Sequence, residues 1–256
     1  MSIPSSPSDI EIQTRRDLAA FYRLVAHFRM TDLIDTHISA RIPGTADHFL
    51  INRYGVLFEE MRPQDLVKID IEGHLIAGQD PAKSRVNVAG FTIHSAIHAA
   101  RHDLACVIHT HTADGIAVSC QAEGLLPISQ HALKFYNRIG YHDYEGVALD
   151  LDERARLVRS LGPHDVMILR NHGLVAAGTS IAKAFHNIMF LERACQAQVK
   201  ALSGGRPLSM PSEEVCQRAG DQGADRPEVE EIAQLGWQAA LRLLKPLQNN
   251  LNETVS

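Results

Sequence analysis

No two cysteines in this 256-residue chain stand in a Cys-x-x-Cys pair, and the four thiols at 106, 120, 195 and 216 form no dense framework. That argues against a disulfide scaffold and a thiolate zinc site, and it predicts reduced thiols in a cytoplasmic protein. An excess of basic residues is missing too. The formal net charge is −5, so the electrostatic footprint of a nucleic-acid-binding protein is absent. Long apolar runs are lacking: Val166 to Leu169 is typical of the longest, whereas a bilayer crossing needs roughly 20 residues. The opening MSIPSSPSDIEIQ has neither the basic nor the apolar region of a signal peptide, so export is not expected. Small molecules remain as the expected partners, with no nucleic acid and no membrane.

What is present suits a large buried core: 45% of residues are hydrophobic and 21% charged, with no break in pattern before about residue 203. The expected organisation is a flexible tail over 1–13, a main domain over 14–203, a flexible linker over 204–227, and a final helix and tail over 228–256. Thr14 to Met30 has helical spacing of apolar residues. Ile34 to Ile76 reads instead as short strands, including HLIAG, separated by turn signals. Helical and strand patterns then mix, with helices over 89–100, 114–121, 152–161 and 181–202 and strands over 106–110, 166–169 and 174–177. In the last helix Ile232, Leu235, Ala239, Leu243 and Leu244 share a side that would pack on the body or on a neighbouring subunit. The reading is an α/β fold, a three-layer α/β/α or α+β domain with a largely antiparallel central sheet, because short hairpin connections suit antiparallel strands.

Histidine is abundant, at 14 residues. His109 and His111 end the apolar run Cys106-Val107-Ile108, and a strand sends residues i and i+2 to one face. His172 lies where a second apolar run breaks at Gly173. Three neutral imidazoles with an open fourth position form a common catalytic zinc site. Spacing alone leaves open the alternative that these are core-edge histidines bonded to carbonyls.

The blocks HISARIPG, HFLINRYG, NVAGFTIHSAIHAAR, CVIHTHTADGIAVSC, GLLPISQHAL, YHDYEG and VMILRNHGLVAAG together resemble the class II aldolase/adducin family over about residues 14–203. Their wording is closer to the adducin head domain and its bacterial relatives than to the sugar-phosphate aldolases. The resemblance implies a three-layer α/β/α fold, a homotetramer with sites near subunit interfaces, and a divalent metal held by His109, His111 and His172. Zinc is the expected ion, with manganese or iron as alternatives.

Departures from the family pattern bear on the substrate. Aldolases of the family carry Ser-Ser-Glu where this chain has Val88-Ala89-Gly90, and Gly-Asn-Ile-Ser where it has Thr36-His37-Ile38-Ser39. The Ser-Gly turn becomes Tyr54-Gly55, and a tyrosine contributed by a neighbouring subunit in some aldolases falls near Gln130 and His131. Phosphate-binding hydroxyls and the carboxylate are thus missing. His37 and His131 become the catalytic candidates for proton transfer, since imidazole titrates near neutral pH; a structural role is the alternative for each. Arg41 reads as a salt-bridge residue, and His94, His98 and His102 as a row behind the site. The expected activity is a metal-dependent carbon–carbon lyase, an aldolase or decarboxylase acting on an unphosphorylated hydroxy- or keto-acid. A non-haem iron oxygenase and a non-catalytic adducin-like assembly module are the alternatives.

Overall fold

The computed structural model describes residues 7–45, 47–146, 153–224 and 226–244. In chain order the elements are α1 (Pro7–His27), β1 (His37–Arg41), β2 (Phe49–Asn52), β3 (Leu66–Ile69), α2 (Val88–Ala100), β4 (Cys106–Thr110), α3 (Ala113–Ser119), α4 (Gln130–Leu133) and β5 (Ile139–His142). They continue with α5 (Glu153–Leu161), β6 (Val166–Leu169), β7 (Gly173–Gly178), α6 (Ile181–Ser203), α7 (Glu213–Gln222) and α8 (Pro227–Leu241).

The strands form one seven-stranded sheet in the order β3-β2-β1-β4-β7-β6-β5. Neighbours are antiparallel except for the parallel β5–β6 pair. The central strands β4 and β7 are buried throughout, and their alternating side chains feed two cores. Cys106, Ile108, Leu174 and Ala176 join Leu18, Phe21 and Val25 of α1, Ile188 and Leu191 of α6, and Trp237 of α8. Val107, Val175 and Ala177 join Ile93 and Ile97 of α2 with Leu157 and Leu161 of α5. Helices on both faces make the expected α/β/α sandwich. Phe21, Phe185 and Trp237 meet edge to face at centroid distances of 5.6 to 6.2 Å, which locks α1, α6 and α8 together. Among the described residues no helix is long and apolar enough to cross a membrane.

Three expectations need correction. The first helix starts at Pro7, so residues 7–13 are not a tail; residues 1–6 lie outside the described residues. Glu11 holds both Arg15 and Lys68 at 2.8 Å, and Arg15 donates to the Leu66 carbonyl. Ion pairs, to which hydrophobic periodicity is blind, thus dock this first stretch on β3. The stretch 204–227 is not linker throughout, because it contains α7, capped by the Ser212 hydroxyl accepting from Val215 N–H. Only Cys216 and Gly220 of α7 are buried, too few to show a period. HLIAG yields an isolated bridge, Ile69 to Leu75, rather than a strand. There Asp70 accepts from the N–H groups of Glu72 and His74 and holds a tight turn.

Helix α2 is fastened to β1 by a buried polar bridge. Ser39 Oγ lies 2.7 Å from His94 Nδ1 and 2.8 Å from His98 Nε2. One hydroxyl carries one proton, so one ring donates to Ser39 and the other accepts. Burial pushes His98 down to about 3 and His94 well below its ordinary value. Folding therefore holds both neutral, while the unfolded chain protonates them as pH falls through about 6.5. Their contribution to stability is complete above that pH and is lost progressively toward about 3. Thermal melts should show a midpoint that drops between pH 6.5 and 4, and a shallower drop in His98→Gln.

Candidate metal centre

The register of the sheet builds the site. β1 and β4 pair so that His37 stands opposite His109, and β4 and β7 pair so that Thr110 meets Leu174. His109 shares the α2-facing side of β4 with Val107. His111 follows two residues later, just before α3, whose cap Thr112 accepts from Gly115 N–H and donates to Glu192 at 2.5 Å. His172 sits in the β6–β7 turn, after Asn171 at φ +57°. Its N–H donates to Ser119 Oγ at 3.2 Å. Gly173 is obligatory here: a Cβ would lie 2.3 Å from the Thr110 carbonyl oxygen and 3.3 to 3.4 Å from the rings of His111 and His109.

All three imidazoles present Nε2 to one point. His111 Nε2 lies 2.8 Å from His109 Nε2 and 3.0 Å from His172 Nε2. Ligand atoms about 2.0–2.1 Å from one ion stand about 2.9–3.4 Å apart, so the cluster is close to the size of a coordination sphere. The outer nitrogens fix the tautomers: His109 Nδ1 donates to the Leu174 carbonyl and His111 Nδ1 to Asp32 Oδ2, both at 2.9 Å. Burial, then the neighbouring rings, holds His109 well below its ordinary value; the same causes push His172 down to about 4. Neutral rings with inward lone pairs are the metal-binding form.

The cluster forms one wall of a cavity of about 530 Å³, shared with Asp32, Asp35, Thr36, His37, Asn87, Gly90 and Tyr144. His37 is 4% exposed, and burial pushes it down to about 4. Its ring fills the space beside residue 90: a Cβ on Gly90 would lie 1.9 Å from His37 Cδ2 and 2.1 Å from Nε2. Thr36, just before it, is a β-branched residue at φ +74°, a conformation costing about 1–3 kcal/mol. The turn that holds it also aims Asp32 at His111.

The structure therefore brings His37, His109, His111 and His172 together. It does not bring His131 to them. That ring stacks on Phe190 of α6 at 5.3 Å and is not among the cavity-lining residues. Arg41 caps Phe49 at 4.8 Å and donates to the His98 carbonyl, away from the cavity. His142 bonds to Ser160 and Glu153, whereas Tyr144 is 55% exposed and lines the cavity. Asp32 was missed by sequence reasoning, and no local signal marks a partner 79 residues away.

The profile of the Class II Aldolase and Adducin N-terminal domain matches residues 16–199. An aldolase II superfamily protein of known structure from Pseudomonas syringae is 51% identical, covers 94% of this chain and 95% of its own, and has a TM-score of 0.86. Alpha-adducin of Rattus norvegicus is 45% identical over 195 residues, 75% of this chain and 26% of the adducin. The L-fuculose 1-phosphate aldolase from Glaciozyma antarctica PI12 is 24% identical, with a TM-score of 0.85 over 99% of this chain and 97% of its own; that likeness is one of fold.

Removing the outer carboxylate should weaken the centre without unfolding the chain. Asp32→Ala is expected to lower zinc affinity roughly 10–100-fold, measured by chelator competition, with an unchanged circular dichroism spectrum.

Proposed function

The chain belongs to the class II aldolase and adducin N-terminal domain family, and from that premise we propose that it is a metal-dependent carbon–carbon lyase, an aldolase or decarboxylase acting on an unphosphorylated hydroxy- or keto-acid. The observation that carries this is the convergence of three imidazole Nε2 atoms on the wall of a 530 Å³ cavity. His109, His111 and His172 would hold the ion. Zinc fits three imidazoles best, and manganese or iron are alternatives. Bound there, the ion supplies Lewis-acid polarisation of a substrate carbonyl or carboxylate oxygen.

The rest falls to the chain's own residues. Gly90 leaves the family's carboxylate position without a side chain, and the His37 imidazole takes up that volume. As a neutral ring against the cavity, His37 accepts the proton of a substrate hydroxyl as the carbon–carbon bond breaks, then returns it to the carbon left with the electron pair. Asp32 holds His111 in its ligand tautomer. The described cavity lining includes the carboxylates of Asp32 and Asp35 and no Lys or Arg, which disfavours a phosphate dianion. His131 would reach a reaction centre only from a neighbouring subunit of the proposed homotetramer. Four free thiols fit a reducing compartment, so the cytoplasm is the proposed location.

An oxygenase reading uses the same ligand set with iron. Oxygen uptake by anaerobically iron-loaded protein would favour it over the lyase. An adducin-like assembly module predicts intact assembly with no metal at all.

His109→Ala and His172→Ala are expected to lose metal and activity together while remaining folded, checked by elemental analysis, circular dichroism and carbonyl-product assays. Faster cleavage of sugar phosphates than of unphosphorylated keto-acids would reject the substrate class. Gly90→Ala should displace the His37 ring and cut kcat by at least about tenfold, the low end of a general acid–base contribution, while the metal content stays that of the wild type.

A further inference from the structure

Helix α8 has two apolar faces, and the body uses one. Val229, Ala233, Trp237 and Ala240 are buried. Of the side expected from the sequence to pack on the body or a neighbour, Leu244 joins the core, whereas Ile232, Leu235 and Leu243 are 56%, 65% and 48% exposed, and Ala239 between them is exposed too. At 3.6 residues per turn Ile232, Leu235 and Ala239 fall within about 60° of one another, and Leu243, just past the end of α8, lines the same groove as Ala239. An apolar groove of about 390 Å³ adjoins this stripe, lined by Phe28, Met189 and Phe190 together with Gly236, Ala239 and Leu243. The apolar surface is therefore continuous across α6 and α8.

Charge decides what covers it. Glu228 and Glu231 lie at the N-terminal end of the stripe and Arg242 at its C-terminal end, all three exposed. Glu231 and Arg242 fall on the same flank, about 20° apart in projection. When two copies of a helix pair antiparallel about a two-fold axis, each flank meets its own copy, so Glu231 of one faces Arg242 of the other. The midpoint of that pair lies beside Gly236, where a Cβ would meet nothing within 4 Å and backbones can approach. Parallel pairing would instead set the two acidic N-terminal ends side by side and the two Arg242 ends side by side.

We propose that the α8 stripe and its adjoining groove form an isologous interface with a second copy of this chain, with the two α8 helices antiparallel. The inference rests on the proposed homo-oligomer and is independent of the metal chemistry. Sedimentation velocity of the full chain over a concentration series tests it, with circular dichroism confirming the fold of each variant. Leu235→Glu, at an exposed position, is expected to lower the weight-average mass about twofold. Glu231→Arg and Arg242→Glu should each weaken association, and the double exchange should restore it. A wild type that stays monomeric overturns both the oligomer and this surface. An oligomer unaffected by Leu235→Glu overturns the surface alone, and a double exchange that restores nothing overturns the antiparallel pairing. Stripe amides protected from hydrogen exchange in a monomer only while residues 245–256 are attached would assign the stripe to the chain's own end and overturn the proposal.

Discussion

The antiparallel pairing of β4 with β7 is the constraint from which the candidate site follows. Its register puts the end of one strand, with His109 and His111, beside the turn that carries His172. Closing that distance requires a residue without a side chain at 173, because the Thr110 carbonyl occupies the place of its Cβ. The apolar residues of both strands anchor them in opposite cores. Hydrophobic burial on two faces therefore fixes the backbone, and the backbone fixes the imidazoles to within hydrogen-bonding distance of one another.

Behind that wall the protein keeps polar groups where apolar ones would pack more cheaply. His37, Ser39, His94 and His98 are all nearly inaccessible to solvent, and His94 Nε2 finds no hydrogen-bond partner among the described residues. A buried unpaired nitrogen costs about 1–3 kcal/mol. A buried network of this kind restricts ring orientations more than an apolar core would. The edge-on contact of His94 with His37, at a centroid distance of 6.0 Å, carries that restriction to the cavity wall.

The strand periods and the His-x-His spacing made most of the sheet and all three ligand candidates legible from local sequence, though not β5 (Ile139–His142), and the family blocks turned the three imidazoles from one of two readings into the expected ligand set. What stayed hidden depends on contacts between distant residues. Asp32 lies in a turn with positive φ at Leu33 and Thr36, neither of them glycine, so no turn signature marks it. The start of α1 depends on Glu11 reaching Lys68, and α7 depends on two buried positions that give no period. In α8 both faces carry apolar residues, and pattern alone does not tell which one meets the body. His131 was weighed as a proton carrier from its place in the chain, while its position against Phe190 is set by the packing of α4 on α6.

The interlock of Gly90 with His37 also bears on how such a cavity can change by mutation. With a carbon at position 90 lying within 2.1 Å of the imidazole, the two sites are not independent. A side chain could enter at 90 only once the ring at 37 had moved or gone, and loss of the ring first would leave this wall with neither group. The effects of substitutions at 37 and 90 are therefore coupled rather than additive.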